Sequence, residues 1–324
     1  MGRALCFVAL VMAFTSISVS AQVNSWINPG SGNWDDPSSW SLGVLPGNSQ
    51  SVMITNSGWK AVAINPSTPV NFPDSMTVSN LTILGASNTV NTLLLNYVGA
   101  AVPLTVSNGL TLADGGQILN FNSALVVQGG TVIVTNSQMI QDGGLVCTTN
   151  APMYLSGSDY GLINGVFEGG VVGIGAPVSS QFNQYGGAAT IATLDLGARS
   201  SGSSGTYALY GGNLNLPGGL SLLGENGSMA SYFQSGGTNQ TTRVMIEPGL
   251  FGISPTFKLN GGLLADNGVS ILGDDFGSAT LEQNGGTHIV SNGVRVSGGA
   301  HTIGAPHPAT YQLNGGTLSA LSMD

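Results

Sequence analysis

Asp274 and Asp275 stand side by side in "LGDDFG", and Glu225 lies 49 residues earlier in "LGENG". A polysaccharide lyase needs carboxylates to hold a cation and a base to take a proton; a hydrolase needs paired carboxylates. Adjacent side chains on a strand face opposite sides, so the aspartates do not form such a pair by themselves. A surface calcium site built with Glu225 is the other chemistry open to them. The plain reading is solvated turn acids, and it is the one we adopt. Asp35 and Asp36 read as turn residues after Trp34. His288, His301 and His307 are the histidines of the chain. His301 and His307 flank "TIGAP", an insertion loop, and neither cysteine nor close carboxylate joins them to complete a zinc set. No G-x-S-x-G elbow marks a nucleophilic serine. The sequence therefore assigns no catalytic residue, no metal ligand and no cofactor.

Composition narrows the partners. The chain has 324 residues, a formal charge of −9 and six Lys and Arg: Arg3, Lys60, Arg199, Arg243, Lys258 and Arg295. These cations are scattered, whereas nucleic acid calls for a cluster that displaces counterions. Charged residues make up 6% of the chain against a usual ~25%. Apolar residues reach 42%, so the chain folds instead of remaining disordered. Residues 1–21 read as a secretory signal: Arg3, the apolar run "ALCFVALVMAF", then "VSA". No later stretch can span a membrane as a helix. Cys6 leaves with the signal, and Cys147 in "GGLVCTT" reads as a small buried hydrophobe on a strand.

The elements that would carry any site are announced by a repeat. "YFQSGGT", "LEQNGGT" and "YQLNGGT" are variants of one phrase. Four residues before successive Gly-Gly pairs stand Phe182, Tyr207, Tyr232, Phe257, Leu281 and Tyr311, spaced by 25, 25, 25, 24 and 30. Two residues before the same pairs, Gln184, Leu209, Gln234, Leu259, Gln283 and Leu313 alternate in type. Residues at i and i+2 share a strand face, and the glycines permit a turn. About ten residues later "LDLG", "SLLG" and "SILG" each read as another short strand. A period of this size means a solenoid, propeller or array. Three short strands per ~25-residue coil suit a parallel β-helix, with the aromatics stacked inside and Asn260, Asn284 and Asn314 laddered at the turns. A kelch-type β-propeller is the competing architecture. The alternating glutamines predict a face that is only partly enclosed, because a buried amide needs partners.

Three regions follow. Residues 22–75 hold all four tryptophans and six prolines, and read as an N-terminal cap rather than a sugar-stacking platform. Residues 76–178 read as irregular coils, with Gly pairs at 115, 129 and 143, a spacing of 14. Residues 179–324 carry the regular coils. The final "GGTLSALSMD" stops mid-unit, so the solenoid is expected to continue past it.

"GNWDDPSSWSLGVLPGNSQSVMI" followed by "MTVSNLTILG" resembles the opening of secreted bacterial β-helix proteins. The later Y-x-L-x-G-G and F-x-Q-x-G-G units resemble the repeats of autotransporter-type passenger and cell-surface adhesin proteins, whose fold is pectate-lyase-like. Gln50 and Ser51 stand where such openings often carry an acidic residue. The resemblance implies a right-handed β-helix, export, and a structural or adhesive role. The expectation is thus an all-β, right-handed parallel β-helix with a Trp-rich cap, acting outside the cell as a non-enzymatic structural or adhesive protein. Its expected partner is an extracellular polysaccharide or cell-surface glycan. The alternative is a polysaccharide lyase or hydrolase, or a glycan-binding module, on the same fold.

Overall fold

A computed structural model of the chain describes residues 21–324, apart from 87, 176, 198–202, 224–227, 249–253, 274–276 and 299–307. It is a parallel β-solenoid of about 10 turns. In the regular region each coil has three sides. The first side stacks Ser180–Gln184, Ser204–Leu209, Met229–Gln234, Thr256–Leu259, Ala279–Gln283 and Ala309–Leu313. The second stacks Asn213–Leu216, Thr238–Thr241, Leu263–Asp266, Thr287–Val290 and Thr317–Ala320. The third stacks Leu220–Leu223, Val244–Glu247, Val269–Gly273 and Val294–Gly298. Each described pairing between these strands is parallel. That overturns the propeller, whose blades are antiparallel sheets.

The aromatic column forms as its spacing requires. Phe182, Tyr207, Tyr232, Phe257, Leu281 and Tyr311 are successive register partners. Ring centroids lie 4.9, 5.9 and 4.6 Å apart from Phe182 to Phe257. Tyr160, in the irregular region, adds a ring 4.4 Å from Phe182. The Gly pairs turn the corner between the first and second sides. Gly262 has φ +77°, and a Cβ there would meet the Gly237 carbonyl oxygen of the coil below at 2.4 Å. Two demands, left-handed backbone and close stacking, therefore fall on one residue.

The irregular region is regular in another measure. Ile118, Met139 and Tyr160 are register partners, so one coil there takes 21 residues. The Gly-pair spacing of 14 is two sides of that shorter triangle. The strands of residues 22–75 join the same ladder: Gln22–Ser25 pairs with Gln50–Ile54, which pairs with Thr77–Leu84. Trp26, Trp34 and Trp40 are buried edge-to-face, with centroids 5.1 and 5.0 Å apart. Trp40 Nε1 donates to Trp34 O, and Trp34 Nε1 to Ser75 O. A buried cluster cannot serve as a sugar platform; Trp59 alone of the four is exposed, at 70%.

Two expectations are corrected. The glutamine face is not partly enclosed: Gln184, Gln234 and Gln283 are fully buried. Cys147 is not a core hydrophobe; it is half-buried on the outer face of Gln138–Thr148, because Val146 and Thr148 take the inward positions.

Candidate functional site

The polar groups of the core are built coil upon coil. Gln184 Nε2 donates to Asn213 O of the next coil at 3.0 Å, and its Oε1 accepts from Tyr207 of that coil at 2.6 Å. Gln283 repeats this with Thr317 O and Tyr311, and Gln141 with Val166 O and Tyr160. Each amide thus spans two coils, and the next coil presents a Leu at the equivalent position. The Gln–Leu alternation is the signature of this two-coil clasp. In the coil after Gln234 the aromatic column carries Phe257, which has no hydroxyl, and Gln234 accepts instead from Tyr232 of its own coil, with Asn239 Nδ2 donating to that hydroxyl at 2.8 Å.

His288 lies in the register column of Asn239 and Leu264. Its Nδ1 is 2.8 Å from the Tyr311 hydroxyl and its Nε2 is 2.6 Å from Asp266 Oδ2. Tyr311 gives its proton to Gln283 Oε1, so His288 Nδ1 is the donor to Tyr311. One proton then lies between Nε2 and Oδ2. Both side chains of the Asp266–His288 pair are wholly buried, and Asp266 Oδ1 has no hydrogen-bond partner.

The other residues singled out in the sequence separate. Asp274, Asp275, Glu225, His301 and His307 lie outside the described residues, as do Arg199 and residues 1–20. Asp36 caps the turn Pro37–Ser39; hydrogen bonds from the Ser38 and Ser39 hydroxyls hold its carboxyl below the usual range. Asp35 accepts from the Thr68 hydroxyl. Gln50 Oε1, in the place of an acidic residue, accepts from Asn24 Nδ2 and Gly47 N. Among the described residues no three His, Cys, Asp or Glu come together to hold a metal ion, and no helix is long and apolar enough to cross a membrane.

The outer surface carries what the core does not. Asn314 donates to Asn284, and Asn284 to Asn260, at 2.8 and 2.9 Å, so the expected turn ladder is present. Thr206, Ser231, Thr256, Thr280 and Thr310 form an in-register outward row. Tyr185 and Tyr210 stack face to face at 5.1 Å on the outside, and both are exposed. Two shallow grooves run along the corner between the second and third sides and share Thr242 and Asn267. The larger, about 400 Å³, is lined by Arg243, Asn267, Gly268, Ser270, Asn292, Gly293 and Arg295, among others. Sequence reasoning passed over these arginines as scattered. Their separation of 52 residues, close to two coils, was the available signal.

Comparison with known protein families, curated proteins and solved structures gave no match for this chain.

Proposed function

We propose that the chain is a non-enzymatic extracellular or cell-surface repeat protein with a structural and adhesive role, and that its partner is an extended glycan. The observation that carries this reading is the outward row of Thr206, Ser231, Thr256, Thr280 and Thr310, on the same side of the solenoid as the Asn260–Asn284–Asn314 ladder and separated from it by one column. Like donors and acceptors recur every coil, at ~4.8 Å, which suits a polymer that repeats its own hydroxyls. Single contacts of this kind are weak, and repetition along one chain converts them into avidity. The secretory character of residues 1–21 and the resemblance to autotransporter-type passengers support export. The Asp266–His288 pair has no exposed side-chain surface, so it offers no base to a bound polymer.

The test is incubation of the secreted chain with a panel of polysaccharides, with and without calcium. Retention of the chain on immobilised glycan with no new reducing ends is the expected result. Unsaturated or shortened products would overturn it in favour of the lyase or hydrolase, and replacement of Asp274, Asp275 and Glu225 by Ala would then be the next step.

A further inference from the structure

We propose that the groove between Arg243 and Arg295 is an anion-recognition site for an acidic polysaccharide, one carrying carboxylate or sulfate groups. The inference rests on the glycan-binding reading above and specifies its charge. It begins with the cations. Lys60 is buried and its ammonium is consumed by Asn56 O, Ser57 O, Gly58 O and Asn91 Oδ1 at 2.7–3.1 Å. Lys258 is paired with Glu282 at 3.2 Å. Among the described residues, Arg243 and Arg295 are the cations held neither by a carboxylate nor by such a cage of oxygens. Arg243 has one weak acceptor, the Met245 sulfur at 3.4 Å. In a chain of net charge −9, two unpaired guanidiniums lining one groove are a local reversal of sign.

The backbone explains how they come to share it. Leu220, Val244 and Val269 each donate to the residue at the same corner of the next coil: Arg243, Gly268 and Gly293. Arg243 therefore overlooks two coils with no side chain at its own position. Arg295 projects from the strand of the second of those coils, in the column of Met245 and Ser270. Two coil steps separate the arginines, ~10 Å along the axis, with the glycine floor between them. Asn267 and Asn292 follow one another along the wall and present amides to sugar hydroxyls. Each guanidinium offers a planar fork that matches a carboxylate or sulfate oxygen pair. Asp324 lines the same groove, and its negative charge opposes an anion there.

The chain's long-range field repels a polyanion, but the field is screened beyond ~8 Å at physiological salt. Contact with the paired arginines then decides recognition. The experiment measures binding of the full chain to polygalacturonate, dextran sulfate, neutral dextran and a single-stranded oligonucleotide. The expected result is preference for an acidic glycan, the first two arms telling carboxylate from sulfate. Arg243→Ala and Arg295→Ala should each weaken that binding about tenfold, and Asp324→Asn should tighten it. Neutral-glycan binding and the melting temperature should stay unchanged, since both arginines are exposed. Equal binding of acidic and neutral glycans, or acidic binding that survives the double arginine variant, overturns the site while leaving the adhesive reading intact. Equal affinity for the oligonucleotide overturns the glycan assignment. Failure to bind any glycan overturns both.

Discussion

His288 has both ring nitrogens engaged inside the core, and the physics of that arrangement sets its first test. Removing one partner of a buried pair leaves the other desolvated and alone, which costs ~3–5 kcal/mol, whereas replacing both by apolar groups of similar size is often nearly neutral. The register neighbours of His288 are Leu264 and Leu318, and those of Asp266 are Thr241 and Val290. His288→Leu alone should lower the urea midpoint sharply, and His288→Leu with Asp266→Val should recover most of the loss. Simple additivity of the two single effects would show that the pair is not coupled. The tyrosines give a second test. Burial raises the ionisation of Tyr160, Tyr207 and Tyr232 well above the ordinary phenol value of ~10. Above that pH the unfolded chain releases protons that the folded chain keeps, so folding stability is fully present below about pH 10 and falls as pH rises beyond it. Phenolate absorbance from these three rings should therefore appear together with loss of the β-sheet circular dichroism signal. Their ionisation within an intact fold would show that the stack is open to solvent.

At the scale of the strand and its turn, alternation and glycine carry the argument. Tyr232 is 1% exposed and stacked between Tyr207 and Phe257. Truncating such a ring costs ~3–5 kcal/mol, so Tyr232→Ala should depress the melting temperature far more than Thr238→Ala, which sits on the outer face of the next strand. Turn glycines should split in the same way. Gly43 and Gly262 both have positive φ, but a Cβ at Gly43 meets nothing within 4 Å while one at Gly262 meets backbone at 2.4 Å. Gly43→Ala carries only the left-handed penalty of ~1–2 kcal/mol; Gly262→Ala must also push two coils apart and should cost clearly more in a thermal melt. Equal losses would mean that coil spacing at the corner is soft. The columns were legible in the sequence because inward and outward positions follow from the i, i+2 rule within one strand. Tyr160 was harder to see, since its coil has 22 residues before Phe182 and no Gly pair four residues on.

Across the whole molecule, each coil touches only its neighbours, so stability is a sum of local terms and long arrays need not melt as one unit. All four tryptophans lie in residues 22–75, three of them buried, so indole fluorescence reports the first coils alone. The rest of the solenoid is reported by circular dichroism. In a urea titration the two signals should have separate midpoints. Coincident midpoints would show that the solenoid unfolds cooperatively from end to end.

The sequence by itself determined the solenoid, the coil length of its regular region, the aromatic column and the asparagine ladder. These depend on the strand period of two and on glycine at fixed intervals, both local properties of the chain. Tertiary structure decided which polar groups meet. Gln184 finds Tyr207 and Asn213 a coil away, and Asp266 finds His288 across 22 residues. Arg243 and Arg295 share a groove because the two coils after Arg243 carry glycine at its corner position. A hydrogen bond or a shared charge requires a particular atom within ~3 Å, and in a stack that atom belongs to another coil, whose register is set by every turn between them.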